Sequence, residues 1–267
     1  MSKTPTIALW QQPGLLGQPD AMIDRLAALL TSGAAGDAGL LILPELWTSG
    51  YNDPDAVIAA SEPADGVWQA RLADLARTHR IALAYGYPEL DGPHRYNSAK
   101  LIDEAGQTLL SYRKVNLWGD YERGLFAPGT TPSALATWRG WRIGLSICYD
   151  TEFPETVRHL ALAGADLVIA PTACGREFPL VAEAVIRVRA LENGIYLAFA
   201  NRIGSECDYP FDGNSAIVGP DGVFRARALD DEALLFATLD RSAIEAARAH
   251  SGFLRELRWN APRLAGD

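Results

Sequence analysis

The sequence predicts a mixed α/β fold in one domain spanning residues 1–267, with two sheets face to face and helices outside. Three observations carry this reading. From Thr6 to Tyr87 apolar runs of strand length alternate with segments of helical period, the rhythm of βαβ units. Between Asn97 and Arg113 a hairpin pattern breaks that rhythm with an antiparallel pair. No repeat and no linker-like shift in composition divides the chain, whose length suits one large core.

The elements follow in order. Thr6 to Trp10 is a short apolar strand stopped by Pro13-Gly14. Residues 19–32 carry Met22, Leu26, Leu29 and Leu30 at helical spacing, and Gly33 stops them. Gly39 to Leu43 is a continuous apolar run of the kind buried on both faces, closed by Pro44 and Glu45. A second helix over Val67–His79 and a strand over Ile81–Tyr87 repeat the unit. Strands over Asn97–Asp103 and Thr108–Arg113 flank Gly106, which can take the positive φ of their turn. Residues 116–141, rich in Gly, Pro and aromatic side chains, read as a long functional loop.

Beyond that loop, Ile143, Leu145 and Ile147 alternate with Gly144, Ser146 and Cys148 in the period of a strand, which places the thiol on the small-residue face. Pro154 opens a helix to Leu162, followed by a strand over Asp166–Ala170 and a helix from Leu180 to Asn193 with Gly194 as its stop. Strands over Ile195–Ala200, Ser215–Val218 and Leu234–Leu239 complete the sheets, the last two separated by the turn Pro220-Asp-Gly222. Asp240 caps a short helix to His250, and a basic, aromatic tail follows from Phe253 to Arg263.

Composition narrows the functional classes. Hydrophobic residues make up 48% and charged residues 21%, ordinary globular proportions. A net charge of −9 disfavours nucleic acid and anionic membranes and favours a small-molecule partner. Cysteines at 148, 174 and 207 are odd in number and far apart, so the reading is a reducing compartment and no disulfide framework. No signal-peptide pattern or membrane-length apolar run is present, which predicts a cytoplasmic protein. No metal-binding signature is seen, and no cofactor is expected.

Glu45, Lys114 and Cys148 each stand at the end of a strand-like segment. On strands of one core they can converge on one rim as a carboxylate, an ammonium and a thiol, the parts needed for acyl transfer. A strand end beside a helix start also eases ionisation of a thiol. Taken alone, Cys148 reads equally well as a buried structural thiol. The four histidines fall in no catalytic arrangement, and Ser146 lies inside the strand, which removes a Cys-His pair and a serine elbow.

The segments L-P-E-L-W around Glu45, Y-R-K-V-N-L around Lys114 and I-C-Y-D-T-E-F-P-E around Cys148 resemble the three signature segments of the nitrilase superfamily, the carbon–nitrogen hydrolases. E-R-G-L-F-A-P-G at Glu122, V-R-A-L-E-N near Glu192 and A-N-R-I-G-S-E from Ala200 extend the likeness along nearly the whole chain. The resemblance implies a four-layer α-β-β-α sandwich that dimerises through helices, as a homodimer or a higher homo-oligomer. It implies a thioester on Cys148, Glu45 as general base and acid, Lys114 with the backbone N–H of Tyr149 on the oxyanion, and Glu122 as a second carboxylate. Tyr51, Trp118, Glu152, Cys174 and Glu177 are candidates for the substrate pocket, with Trp47 a further aromatic beside Glu45. Asn201, Arg202 and Glu206 read as scaffold.

Cys-Tyr-Asp at 148–150 is similar to the amide-cleaving branches, and the segments A-Y-G-Y-P-E, Y-N-S-A-K-L-I-D and C-Y-D-T-E-F-P-E are most similar to bacterial aliphatic amidases of the 5-aminopentanamidase and stereoselective-amidase type. N-carbamoyl amino acid hydrolase, ω-amidase and nitrilase are alternatives, and a catalytically idle scaffold is a distant one.

Overall fold

The computed structural model describes residues 4–257, so the second half of the tail lies outside the described residues. In chain order the elements are β1 Thr6–Gln11, α1 Pro19–Thr31, β2 Leu40–Ile42, α2 Pro54–Ala59, α3 Val67–His79, β3 Ala82–Asp91, β4 His94–Ile102 and β5 Thr108–Arg113. Then come α4 Gly119–Leu125, β6 Leu135–Trp138, β7 Trp141–Leu145, a 3₁₀ turn over Cys148–Glu152, α5 Pro154–Leu162, β8 Leu167–Pro171, a π turn over Val181–Val185 and α6 Ile186–Asn193. The remainder is β9 Tyr196–Ala200, β10 Ser205–Glu206, β11 Tyr209–Pro210, β12 Ala216–Val218, β13 Phe224–Arg227, β14 Ala233–Thr238, α7 Arg241–Ser251 and α8 Phe253–Glu256.

Two six-stranded sheets run β14-β1-β2-β3-β4-β5 and β13-β12-β9-β8-β7-β6. In the first, β1, β2 and β3 are parallel and the flanking strands antiparallel. In the second, β7, β8 and β9 are parallel. The inner faces meet through Ile7, Leu9, Leu40 and Ile42 on one side and Ile143, Leu145, Ile147, Leu167 and Ile169 on the other, all fully buried. Each such side chain contributes roughly 1.5–3 kcal/mol by leaving water.

Outside the first sheet, α1 and α3 lay Met22, Leu26, Leu72 and Ala76 on Leu41, Leu43 and Leu83. Outside the second, Val181, Ile186 and Ala190 pack on Leu197, Phe199 and Val218, while Val157 and Leu160 of α5 cover Val168. The result is the four-layer α-β-β-α sandwich.

The topology fixes where chemistry can sit. β2, β7, β8 and β9 end respectively just before Glu45, Cys148, Cys174 and Asn201, the carboxyl rim where open α/β sheets hold ligands. Two antiparallel steps from β3 return β5 to the direction of β3, so Lys114 leaves at the same rim.

Several expectations are corrected. The strand before Cys148 stops at Leu145, and the thiol is aimed by a tight turn in which Cys148 has φ +43°, not by the pleat. The alternation itself holds: Ile147 still enters the core, and a Cβ on Gly144 would come within 2.8 Å of Leu160 on α5. Residues 116–141 contain α4 and β6, because the face of α4 turned inward carries Glu122, which inverts the apolar signal of a buried helix. β13 alternates aromatic or small residues with arginine on a sheet edge and so lacks an apolar run. The helix expected from Leu180 opens with the π turn. Among the described residues no helix is long and apolar enough to cross a membrane.

Candidate active site

Glu45 follows the apolar run of β2 and is carried by a bend in which Leu46 has φ +46°. The bend lies on β3 because Gly86 has no side chain: a Cβ there would stand 2.7 Å from the Glu45 Cα. Lys114 leaves the end of β5, where its N–H donates to the Asn97 carbonyl at 2.8 Å. Both side chains are wholly buried.

The Lys114 ammonium bridges two carboxylates, donating to Glu45 Oε1 at 2.8 Å and to Glu122 Oε1 at 2.7 Å. Burial alone would push this amine down, but the charges of Glu122 and Glu45 outweigh it and hold the amine well above its ordinary value. One ammonium serves two carboxylates. Burial correspondingly raises Glu122, against the pull of Lys114.

Three further donors fix these carboxylates. Asn97 Nδ2 donates to Glu45 Oε1 at 2.7 Å, Tyr51 Oη donates to Glu122 Oε1 at 2.9 Å, and the Trp118 N–H donates to Glu122 Oε2 at 2.7 Å. Glu45 Oε2 is buried and has no partner, so an acceptor stands ready on this side of the cluster.

Cys148 packs against both the inter-sheet core and the cluster beneath α6. Burial pushes its thiol well above the usual value, Glu45 adds to the shift, and Lys114 and the Ala173 N–H oppose it. This corrects the expectation of an easily ionised thiol, since burial, with the Glu45 carboxylate adding to it, outweighs position at a helix start. A residue other than glycine at φ +43° carries strain of order 1–3 kcal/mol, held by its surroundings. Asp150 does the holding: it accepts from Tyr112 Oη at 2.8 Å, from the Asn116 N–H at 2.8 Å and from the Ile147 N–H at 3.3 Å. The turn after Cys148 is thereby tied to the chain after Lys114.

The pocket candidates separate. Tyr51 touches the cluster through Glu122 and stacks loosely with Tyr121 and Tyr209, with Phe211 edge-on. Trp118 is half-buried and meets Phe178 edge-on at 5.7 Å. Cys174 is buried at the end of β8, with Asn201 Oδ1 accepting its N–H at 2.9 Å. Glu152 is half-buried, and burial raises its carboxyl while Lys114 and Arg189 lower it. Glu177 is exposed. Trp47 is not part of the site: it packs among the residues between the first sheet and its helices.

Asn97, Tyr209 and Phe211 were not singled out by the sequence. Asn97 is buried on β4 by its pairing with β3, which the local sequence does not show. The two aromatics lie on and directly after β11, which reaches the site only through folding.

A sandwich with this carboxylate–ammonium–thiol rim belongs to the class of thiol hydrolases that act on carbonyl-type carbons, and the comparisons make the family definite. The carbon-nitrogen hydrolase family matches residues 6–249, and the chain belongs to that family. It is 42% identical over 268 residues to a protein of Pseudomonas protegens called hydrolase in pqqF 5'region, covering 99% of this chain and 92% of that one. It is 36% identical to an (R)-stereoselective amidase of a Pseudomonas species, covering 84% of this chain and 81% of the other. Among solved structures, a variant of the amidase from Nesterenkonia sp. AN1, with the acetamide moiety of fluoroacetamide covalently added at its active-site cysteine, superposes with a TM-score of 0.83 at 33% identity, covering 96% of this chain and 95% of that one. A cysteine-to-alanine variant of the same amidase in complex with butyramide gives a TM-score of 0.80 at 35% identity, covering 93% and 95%.

Proposed function

We propose that this chain is an amidase that hydrolyses small linear amides to a carboxylic acid and ammonia through a thioester on Cys148. The observation that carries this reading is the buried Lys114 bridge between Glu45 and Glu122, with Glu45 Oε2 left unpaired. In this reading Glu45 takes the thiol proton as Cys148 Sγ attacks the amide carbon. The carbonyl oxygen becomes an oxyanion, which the Lys114 ammonium stabilises together with the Tyr149 N–H, in the first turn of a helix where backbone donors lack intrahelical acceptors. The proton on Glu45 passes to the leaving nitrogen, the C–N bond breaks and ammonia departs. Water then gives a proton to Glu45 and attacks the thioester. Collapse expels the thiolate, which recovers its proton from Glu45, and the acid is released. Glu122 holds Lys114 in place and stays out of the proton path.

A raised thiol pKa suits this scheme. The resting site keeps a neutral thiol beside a carboxylate, and nucleophile and base appear together when substrate arrives. Tyr51, Trp118, Tyr209 and Phe178 offer an aromatic wall for an apolar acyl group. We place this activity in the cytoplasm and in a homodimer, for which Leu162 of α5 and Val188 and Leu191 of α6 supply exposed apolar side chains.

The test is a panel of butyramide, butyronitrile and an N-carbamoyl amino acid, with ammonia release as the readout. The reading expects turnover of butyramide and at most slow release from the other two. Preference for the nitrile or the carbamoyl substrate replaces it with a sister activity, and no release from any substrate overturns it.

A further inference from the structure

We infer that the buried ion pair between Arg202 and Glu206 positions the Glu45 carboxylate and the Tyr51–Glu122 pair from the opposite sheet, and so sets the rate of the chemical step. The inference rests on the reading of Glu45 as the group that moves the proton.

Arg202 and Glu206 are only 1% and 4% exposed. Arg202 leaves the end of β9 in the second sheet, yet its guanidinium reaches across to the bend that carries Glu45 in the first. Its Nη2 donates to the carbonyl oxygen of Glu45 and, at 3.1 Å, to that of Leu46. Its Nη1 pairs with Glu206 Oε1. The other oxygen of Glu206 accepts the backbone N–H groups of Tyr51 at 2.6 Å and Asn52 at 2.9 Å. One ion pair thus grips the backbone of the carboxylate residue and the backbone of the tyrosine that buttresses Glu122.

The surroundings are shaped for this pair. The guanidinium carbon lies 5.3 Å from the centre of the Phe211 ring, which covers one face. A side chain at Gly14 would intrude, since a Cβ there would stand 2.8 Å from Arg202 Nη1. Leu46, at φ +46°, is a bend that the chain does not adopt by preference, and the Arg202 donors fall on its two flanking carbonyls. A rigid bracket holding a reacting group matters because small misplacements of such a group cost rate steeply.

A pair that merely joined the two sheets would lower stability when altered and leave each folded molecule equally active. The experiment therefore uses Arg202→Lys, Arg202→Ala and Glu206→Gln in the full chain, with activity on butyramide normalised to the folded fraction from thermal unfolding. Expected is a fall in kcat of about 10-fold or more per folded molecule in Arg202→Lys and Glu206→Gln, with KM within about 2-fold of wild type. Added guanidinium should restore part of kcat to Arg202→Ala. The pH profile of Cys148 alkylation by a small neutral reagent should also move in all three, because the distance from thiol to carboxylate has changed.

Wild-type kcat per folded molecule together with an unmoved alkylation profile in Glu206→Gln and Arg202→Lys would overturn the inference, leaving a structural strut. Should Arg202→Ala not fold, these two variants decide. Absence of amide turnover in the wild type would overturn the proposed function instead, and the alkylation profiles would still test the positioning.

Discussion

At the scale of single residues, the site is an electrostatic arrangement with one cation too few. Lys114 neutralises only one of the two carboxylates it touches, and the remaining negative charge bears on the thiol of Cys148. The sign of a mutational effect follows. A carboxylate beside a thiol disfavours the thiolate, so replacing Glu45 by Gln removes a cause of the upward shift. In Glu45→Gln the alkylation of Cys148 should begin at lower pH than in wild type, while amide turnover collapses because the proton carrier is gone. An unmoved or upward-shifted profile would contradict the placement of that charge. Lys114→Ala should lower kcat by on the order of 10²-fold or more, the typical worth of one oxyanion donor. A rise confined to KM would make Lys114 a binding residue.

At the scale of elements, close approach of backbone to backbone sets where Glu45 stands. β2 has only three residues, and its extension through Pro44 to Leu46 is shaped by the absence of a side chain at Gly86. Gly86→Ala would set a methyl group 2.5 Å from the Leu46 nitrogen, so the bend must move. We expect a stability loss of about 1–3 kcal/mol from overpacking and a kcat loss that exceeds the loss of folded protein. Normal kcat per folded molecule would show that the bend relaxes without displacing Glu45. What the sequence disclosed sorts along the same line. Helices with apolar faces, α3 and α5 among them, have the bounds the spacing predicts, and Gly33, Gly106 and Gly194 take the positive φ expected of them. α4 escaped because its buried face holds a glutamate, and the end of β7 escaped because a turn at Cys148 continues the alternation in sequence while leaving the strand in space. Motifs at strand ends were legible; the Asn97 contact and the approach of Tyr209 to Trp118 depend on pairings between distant segments, which no local period encodes.

At the scale of the whole molecule, two sheets bring the site together from both sides: Glu45 and Lys114 come from one and Cys148 from the other. Net charge acts at this scale too. A chain at −9, with Glu152 half-buried near the Lys114 ammonium and the Cys174 thiol and with Glu177 exposed, should draw in cationic amides. The matched pair 5-aminopentanamide and hexanamide isolates that effect. We expect kcat/KM to favour the amine at low ionic strength, the gap to narrow in salt, and Glu152→Gln to reduce it more than Glu177→Gln, because an exposed charge is already screened. Equal rates for the two amides would leave a general aliphatic amidase with no charge reading.

The role of Cys148 as nucleophile is tested by replacing it with alanine and following ammonia release from butyramide. Thermal unfolding must first show that Cys148→Ala folds as the wild type does. Turnover should fall by at least about 10⁴-fold, since removing a nucleophile leaves only binding and oxyanion stabilisation. Turnover by the folded variant within about 10-fold of wild type would contradict it.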